Sequence, residues 1–170
     1  MLMEFNGLIP KYFYVTVGKG LSDVSKLNAF DRALIDAGIG QCNLVTVSSI
    51  LPRNAIEISP VKIPAGTITF VVMARMHGTK NETISAGIAW GMARQVNGDL
   101  GYGFVVEGEG NCDRNELEDA LRRKIGDMAK ARNMKLESVK MKIVDLTISK
   151  AKYGCVVAAL VFVPSDIVSI

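Results

Sequence analysis

Two strand-like segments on either side of Asn97-Gly98-Asp99 constrain the fold of this chain more than any other feature. Residues 83–91 alternate strictly between two faces, which is typical of a β-strand, and a second strand-like segment covers residues 101–110. Asn-Gly pairs favour the tight turns that join antiparallel strands. The sequence therefore predicts a β-hairpin, although the length of residues 83–91 alone also fits a helix.

Further strands and two helices are predicted around this hairpin. The first helix is expected to begin at Asn28 as N-cap, with Asp31 three residues on, and to end at Gly38. The second is expected to begin at Asp113, with Glu116 at its third position, and to continue to about residue 132. One stripe of this second helix carries Leu117, Leu121, Ile125 and Met128. Strands are predicted at residues 12–17, 44–49, 66–76, 139–148 and 153–163.

The predicted order of elements is β-α-β-β-β-β-α-β-β, which contains a rough β-α-β-β repeat. This order predicts an α+β chain with mostly antiparallel pairing. The length of 170 residues and the absence of a linker-like segment predict a single domain covering residues 1–170.

Composition narrows the classes of partner. Hydrophobic residues make up 49% of the chain and charged residues 22%, and the mean hydropathy of +0.24 is high enough to predict a homo-oligomer. The net charge of +3 is spread along the chain, so nucleic-acid binding is not indicated. No apolar run reaches the roughly 20 residues that span a membrane, and no signal peptide is recognised. The sequence therefore predicts a cytoplasmic protein.

Several kinds of active site are disfavoured by the residues present. His77 is the only histidine, which disfavours Ser-His-Asp triads and histidine-rich metal sites; we expect it at a strand end or on the surface. The three cysteines are far apart and are expected to be core thiols, so neither a disulfide framework nor a metal site is predicted. The chain also lacks a phosphate-binding glycine loop.

The segment that ends in Ser48-Ser49 offers a different kind of chemistry. A serine hydroxyl held in a strained turn can attack the carbonyl of the residue before it and give an ester. Elimination and hydrolysis of such an ester would cut the chain and leave an N-terminal pyruvoyl group. A polar donor such as the Asn43 side chain is a candidate to stabilise the oxyanion. Read without further context, a Ser-Ser pair before a turn is an ordinary loop sequence.

Motifs along most of the chain carry a resemblance to a known family. They are Leu-Asn-Ala-Phe-Asp at 27–31, Ala-Gly-Ile-Gly at 37–40 with Asn43-Leu44, Ser48-Ser49-Ile50 with Pro52, Glu-Thr-Ile-Ser-Ala at 82–86, Glu107 and Glu109 before Cys112, and Gly154-Cys155. In this order they resemble the pyruvoyl-dependent arginine decarboxylases.

This resemblance implies a fold, an assembly and a processing step. It implies a layered α/β/β/α sandwich built on a duplicated β-α-β-β unit, and a trimer or dimer of trimers with active sites between subunits. It implies cleavage between Ser48 and Ser49 into a β chain of residues 1–48 and an α chain of residues 49–170. Ser49 would then become a covalent pyruvoyl group, which replaces pyridoxal phosphate and needs no metal.

The resemblance also implies an activity and a set of site residues. The expected reaction converts L-arginine to agmatine and CO₂, as in polyamine biosynthesis. Glu107 is the expected acid that returns a proton to the α-carbon, and its Val105-Val106 flank favours the protonated carboxyl. Asp31 is the expected partner of the substrate guanidinium; its other interpretation is the capping residue of the first helix. The remaining expected site residues are Asn43, Gly40, Leu44 and Ile50.

Three departures from the family pattern leave other interpretations open. Arg32 follows Asp31, Arg53 follows Pro52, and Gly108 stands where an aromatic residue is expected. An added cation near the site favours another substrate, such as aspartate. A different alternative is an unprocessed oligomeric binding or scaffold protein that has kept the fold without the chemistry.

Overall fold

The computed structural model describes residues 8–99, 101–164 and 167. Within this part of the chain there are two helices and ten strands. In chain order they are β1 (Tyr12–Ser22), α1 (Lys26–Asp36), β2 (Asn43–Thr46), β3 (Ile50–Leu51), β4 (Ile56–Glu57), β5 (Ile68–Thr79), β6 (Thr83–Gln95), β7 (Gly103–Gly110), α2 (Arg114–Lys130), β8 (Met134–Leu136), β9 (Lys140–Thr147) and β10 (Tyr153–Val163).

The first sheet has the strand order β2-β5-β10-β1-β4. Its long central strands are antiparallel, with β10 paired between β5 and β1, while the short outer strands β2 and β4 are parallel to their neighbours. Helix α1 packs against β1 and β10 on one face of this sheet. Gly18 and Gly20 of β1 permit the close approach, because a Cβ atom at either would lie about 2 Å from a carbonyl oxygen of α1.

The second sheet has the order β3-β7-β6, and β9 and β8 pair with successive parts of β6. All of these pairings are antiparallel. The hairpin of β6 and β7 is confirmed, and Gly98 in its turn has a φ of 91°. Helix α2 packs on this sheet through Leu117, Leu121, Ile125 and Ala129.

The two sheets pack face to face, and each has its helix on the outer face. One apolar cluster lies between the sheets, a second lies between the first sheet and α1, and a third lies between the second sheet and α2. The predicted α+β sandwich with α/β/β/α layers and mostly antiparallel pairing is confirmed. The second β-α-β-β series is divided between the layers, because β10 inserts between β5 and β1 of the first sheet. Neither helix is long and apolar enough to span a membrane.

The start of the first helix was predicted wrongly. Ser25, and not Asn28, is its N-cap: the Ser25 hydroxyl accepts a hydrogen bond from the Asn28 backbone N–H at 3.1 Å. Asn28 is therefore the third helical residue, and Asp31 lies inside the helix rather than in its capping box. The predicted capping box of α2 is confirmed, with Asp113 and Glu116 in reciprocal bonds. That helix ends at Lys130, and Met128 is only half-buried.

Several strand boundaries also differ from the predictions. The strand predicted at residues 44–49 ends at Thr46, so that both serines of the pair lie outside it. The strand predicted at residues 83–91 continues to Gln95 and is buried on both faces, because it has the first sheet on one side and α2 on the other. The short strands β3, β4 and β8 have two or three residues each and were not predicted.

Candidate functional site

The serine pair lies where the chain passes from one sheet to the other. We call residues 47–50 the crossing segment. At its start, the Val47 N–H donates to the carbonyl of Val71 in β5, at 2.9 Å. At its end, Ile50 pairs with Phe104 of β7, and the Val105 N–H donates to the Ser49 carbonyl at 2.9 Å. The Ser48–Ser49 peptide bond is therefore held from both sides by two different sheets.

The carbonyl group of Ser48 already has a hydrogen-bond donor. The backbone N–H of Ile50 donates to the Ser48 oxygen at 3.1 Å and closes a tight bend around Ser49. Because this N–H is fixed by the β3 strand that follows, it is a preorganised donor for negative charge on that oxygen. The arrangement favours attack on the Ser48 carbonyl carbon.

Ser49 and Glu107 line the same cleft. We call it the edge cleft, and its volume is about 410 Å³. Its lining residues are Ser49, Val106, Glu107, Lys124, Asp127 and Met128. Glu107 is two residues beyond Val105 on β7, roughly 7 Å farther along the strand. Val105 belongs to the core between the sheets, so strand alternation places the half-buried Glu107 side chain on the same face. The structure thus brings two of the predicted site residues together.

Ser48 and Ile50 border a separate cavity on the other side of the crossing segment. This cavity measures about 330 Å³ and is mostly apolar. Its lining residues are Leu8, Pro10, Val47, Ser48, Ile50, Pro52, Phe70 and Phe162. The two residues of the serine pair therefore border different spaces.

Asn43 does not reach the serine pair within the same chain. It stands at the start of β2, and its amide donates to the Gly66 carbonyl at 2.9 Å. Val47 lies four residues farther along this extended segment, which corresponds to about 13 Å. The role of Asn43 as the oxyanion donor stays a prediction; within one subunit, the donor to the Ser48 carbonyl is the Ile50 N–H.

Asp31, Gly40 and Leu44 belong to the α1 side of the first sheet. Leu44 packs at the margin of the core beneath α1, and a Cβ atom on Gly40 would lie 2.9 Å from the Ile35 side chain. Asp31 is exposed, and no cation lies within salt-bridge distance of it in the described part of the chain. Since α1 and α2 cover opposite faces of the sandwich, these residues are remote from the edge cleft of their own chain.

The three departures from the family pattern have structural explanations. Arg32 donates through Nη1 to the Leu21 carbonyl at 2.5 Å, and Arg53 donates through Nε to the Gly101 carbonyl at 3.2 Å. Neither arginine lines the edge cleft. Gly108 faces α2, where an added Cβ would lie 3.0 Å from the end of the Leu117 side chain, so a larger residue requires Leu117 to shift.

The remaining residues singled out from the sequence lie elsewhere. His77 is near the end of β5, half-buried, with its ring edge against Phe30. Its pKa is lowered by burial and then by the charges of Arg75 and Lys26. Cys155 is buried, whereas Cys42 and Cys112 are half-buried. No group of metal-ligating side chains occurs among residues that the structure describes.

Sequence reasoning missed the contribution of α2 to the cleft. Lys124 and Asp127 are three residues apart on α2 and both border it. Lys124 is the last residue of the basic run Arg122-Arg123-Lys124. Nothing in that run predicts that its last residue lies beside Glu107. Together the crossing segment and the edge cleft define a site where Ser49 borders a cleft with the half-buried Glu107, and the carbonyl of the preceding Ser48 accepts from the Ile50 N–H.

Comparison with known proteins identifies the class of protein. The family model described as pyruvoyl-dependent arginine decarboxylase matches residues 12–167. A pyruvoyl-dependent arginine decarboxylase of Methanopyrus kandleri is 36% identical over 154 residues, which cover 91% of this chain and 97% of the relative. The corresponding protein of Pyrococcus horikoshii is 35% identical over 143 residues, 82% of this chain and 87% of the relative. That of Methanocaldococcus jannaschii is 35% identical over 135 residues, 78% of each chain.

The chain belongs to the pyruvoyl-dependent arginine decarboxylase family. The resemblance inferred from its motifs is therefore confirmed.

Proposed function

We propose that this protein cuts its own chain between Ser48 and Ser49 and then decarboxylates L-arginine to agmatine and CO₂, a reaction of polyamine biosynthesis. The observation that carries the proposal is the position of the serine pair. Its peptide bond bridges two sheets, its carbonyl has the Ile50 N–H as donor, and Ser49 shares a cleft with Glu107. Family membership supports the substrate.

The cleavage needs no reactant other than water. The Ser49 hydroxyl oxygen attacks the Ser48 carbonyl carbon, the C–N bond between the residues breaks, and the hydroxyl proton passes to the freed amine. Elimination then removes the Ser49 α-proton and breaks the Cβ–O bond, which leaves a carboxylate on Ser48 and dehydroalanine at position 49. Addition of water and loss of ammonia convert dehydroalanine to pyruvoyl. The products are the chains 1–48 and 49–170.

The edge cleft fits a pyruvoyl group formed from Ser49. The group is no larger than the serine that it replaces, and the cleft of about 410 Å³ leaves room for an amino acid beside it. When formed, the group supplies a carbonyl that condenses with the substrate amine and accepts electrons as CO₂ leaves. Glu107 is the group of this chain that donates a proton to the α-carbon afterwards. None of these steps requires a metal or pyridoxal phosphate.

Asp31 is the proposed partner of the substrate guanidinium, and a second subunit must supply it. A carboxylate and a guanidinium form paired, charge-assisted hydrogen bonds. Asp31 lies on α1, on the opposite side of the sandwich from α2 and the edge cleft. We therefore assign Asp31, Gly40, Leu44 and Asn43 to one half of the site, and Ser49, Ile50 and Glu107 to the half on a neighbouring subunit.

The surface around Asp31 supports such an assembly. Leu27 and Ile35 lie one helical turn before and after Asp31, and they are 74% and 63% exposed. In the sheet that α1 covers, the edge strand β2 has a partner on one side only among the described strands, and its Val45 is exposed. Exposed apolar residues and an open strand edge both favour burial against a second copy. We propose a trimer or a dimer of trimers, located in the cytoplasm.

The test measures processing and catalysis separately. Intact-mass analysis of the denatured protein should give two chains, residues 1–48 and 49–170, the larger blocked to Edman degradation. The purified protein should release CO₂ from arginine with formation of agmatine, and Ser49→Ala should do neither. A single full-length chain after prolonged incubation would support the scaffold alternative. Release of CO₂ from aspartate but not from arginine would overturn the substrate and leave the pyruvoyl chemistry intact.

A further inference from the structure

The edge of β7 next to Glu107 has no strand beside it in the described part of the chain. Strand β3 pairs with Phe104 and Gly103 only, and the last backbone bond on this side joins the Val105 N–H to the Ser49 carbonyl. On the N-terminal side of Ser49 the chain leads away from β7 to the first sheet. The backbone of Glu107 therefore lies past the end of the ladder, and its carbonyl on this side accepts from no strand in the described part of the chain.

Lys124 supplies a donor to this carbonyl. Its ammonium group donates to the backbone carbonyl of Glu107 at 2.9 Å. The lysine belongs to α2, whose apolar residues cover the outer face of β7, so the side chain has to extend from the helix to the strand edge. Within the edge cleft this contact ties the helix to the strand at the residue that carries the proposed acid.

The contact also argues against a second role for the lysine, as a clamp on the substrate carboxylate. A cation that binds the carboxylate stabilises the ground state, and the charge it binds is lost as CO₂ leaves, so such a clamp slows the step. The bond to the Glu107 carbonyl already engages the ammonium group. A fixed backbone at Glu107, by contrast, keeps its carboxyl at a set distance from position 49.

We propose that Lys124 is a positioning residue for decarboxylation, which acts by fixing the edge of β7 at Glu107. The inference rests on the proposed function, because it assigns Lys124 to the acid of that reaction. Misplacement of a reacting group by about 1 Å costs up to roughly 10²-fold in rate. Loss of the lysine should therefore lower kcat and leave arginine binding unchanged.

The experiment compares Lys124→Met with Arg123→Met. Both changes remove one cation from exposed positions of α2, but only Lys124 has the bond to β7. We expect Lys124→Met to lower kcat on the order of tenfold or more, with KM for arginine within twofold of the parent value. Arg123→Met should match the parent protein. Lys124→Arg, which keeps a donor for the carbonyl, should recover part of the loss. Cleavage into two chains should be complete in all three variants.

Hydrogen exchange provides a readout that does not depend on activity. Peptides covering residues 103–110 should exchange faster in Lys124→Met than in the parent, whereas peptides from β10 should not change. An unchanged kcat together with unchanged exchange would overturn the positioning role. So would a rise in KM as large as the fall in kcat, because that result is expected of a carboxylate clamp. If the parent protein released no CO₂ from arginine, the proposed function would fail, and the exchange result would still decide whether Lys124 fixes β7.

Discussion

Replacement of Asp31 by Asn separates recognition of the substrate from stability of the helix. The change removes one negative charge and keeps the shape of the side chain. Hydrogen bonds between charged groups are worth about 1.5–3 kcal/mol, and each 1.4 kcal/mol corresponds to a tenfold change in an equilibrium constant. We therefore expect KM for arginine to rise roughly 10- to 100-fold in Asp31→Asn. Lysine, which lacks a planar guanidinium group, should remain a poor substrate of both proteins.

The structure supplies a matched control for this experiment. Asp31 has no capping role, because the N-cap is Ser25, whose hydroxyl accepts from the Asn28 N–H. Loss of an N-cap hydroxyl costs about 1 kcal/mol, which lowers Tm by roughly 2–4 °C in a chain of this size. Ser25→Ala should therefore lower Tm and leave KM for arginine unchanged. Asp31→Asn should raise KM and leave Tm unchanged.

The assay is agmatine formation over a range of arginine concentrations, with thermal unfolding measured on the same samples. An unchanged KM in Asp31→Asn would refute the assignment of Asp31 to the guanidinium. A fall in Tm equal to that of Ser25→Ala would show that the aspartate supports the helix after all. The Tm comparison does not depend on whether the chain is cleaved, whereas the KM comparison requires the processed protein.

The other predictions concern the serine pair, the acid, the assembly and the buried thiol. Ser49→Ala should remain a single chain on denaturing gels, whereas Ser49→Cys should cleave in part, because a thiol also performs the acyl shift. Glu107→Gln should cleave and assemble normally but lose on the order of 10²-fold in kcat, and near-parent turnover would contradict its role. Subunits of Asp31→Asn and Ser49→Ala, mixed in equal amounts and reassembled at random, should restore roughly a quarter of the parent activity at low arginine. In one interface of four, an intact Asp31 then meets an intact Ser49 of the neighbouring subunit. No recovery would argue against a shared site. Burial raises the pKa of the Cys155 thiol from 9.0 to about 12. Its contribution to stability is thus present below pH 9 and is lost as the pH rises toward 12, by about 1.4 kcal/mol per pH unit, so the urea midpoint should fall less steeply above pH 9 in Cys155→Ala.

Local sequence signals predicted the parts of the fold that depend on local interactions. The Asp113 capping box and the turn at Gly98 occur as predicted, because each depends on residues that are close in the chain. The last strand also occurs as predicted, although its partners β1 and β5 are far away in sequence. The first helix shows the limit of such signals. Ser25 and Asn28 both carry side chains that cap helices, and their spacing allows either to begin this one. Close packing of α1 on Gly18 and Gly20 is a tertiary interaction that single-sequence patterns do not contain.

The path of the crossing segment could not be predicted from local sequence patterns, for a different reason. Residues 44–49 have the composition of one continuous strand, yet the backbone leaves the first sheet after Val47 and joins the second at Ile50. Whether a strand continues or crosses to another sheet depends on the strands with which it pairs. Here the residues before the two serines pair with β5, and the residues after them pair with β7. The short strands β3 and β4 were missed for the same reason, since their existence depends on partners far away in sequence.

The separation of the proposed site residues between layers gives a physical reason for the proposed oligomer. Asp31 and Asn43 belong to the first sheet and its helix, whereas Ser49 and Glu107 border the second sheet, and no loop of the described chain brings the two sets together. If arginine is recognised by Asp31 and reacts at position 49, a single subunit cannot do both. The apolar residues Leu27 and Ile35 on either side of Asp31 then have two consequences, since burial of this face stabilises the assembly and also carries the carboxylate to a neighbour's cleft. Substitution of Leu27 by a charged residue should therefore lower assembly and arginine turnover together while leaving self-cleavage intact, because the serine pair and its Ile50 donor lie within one chain.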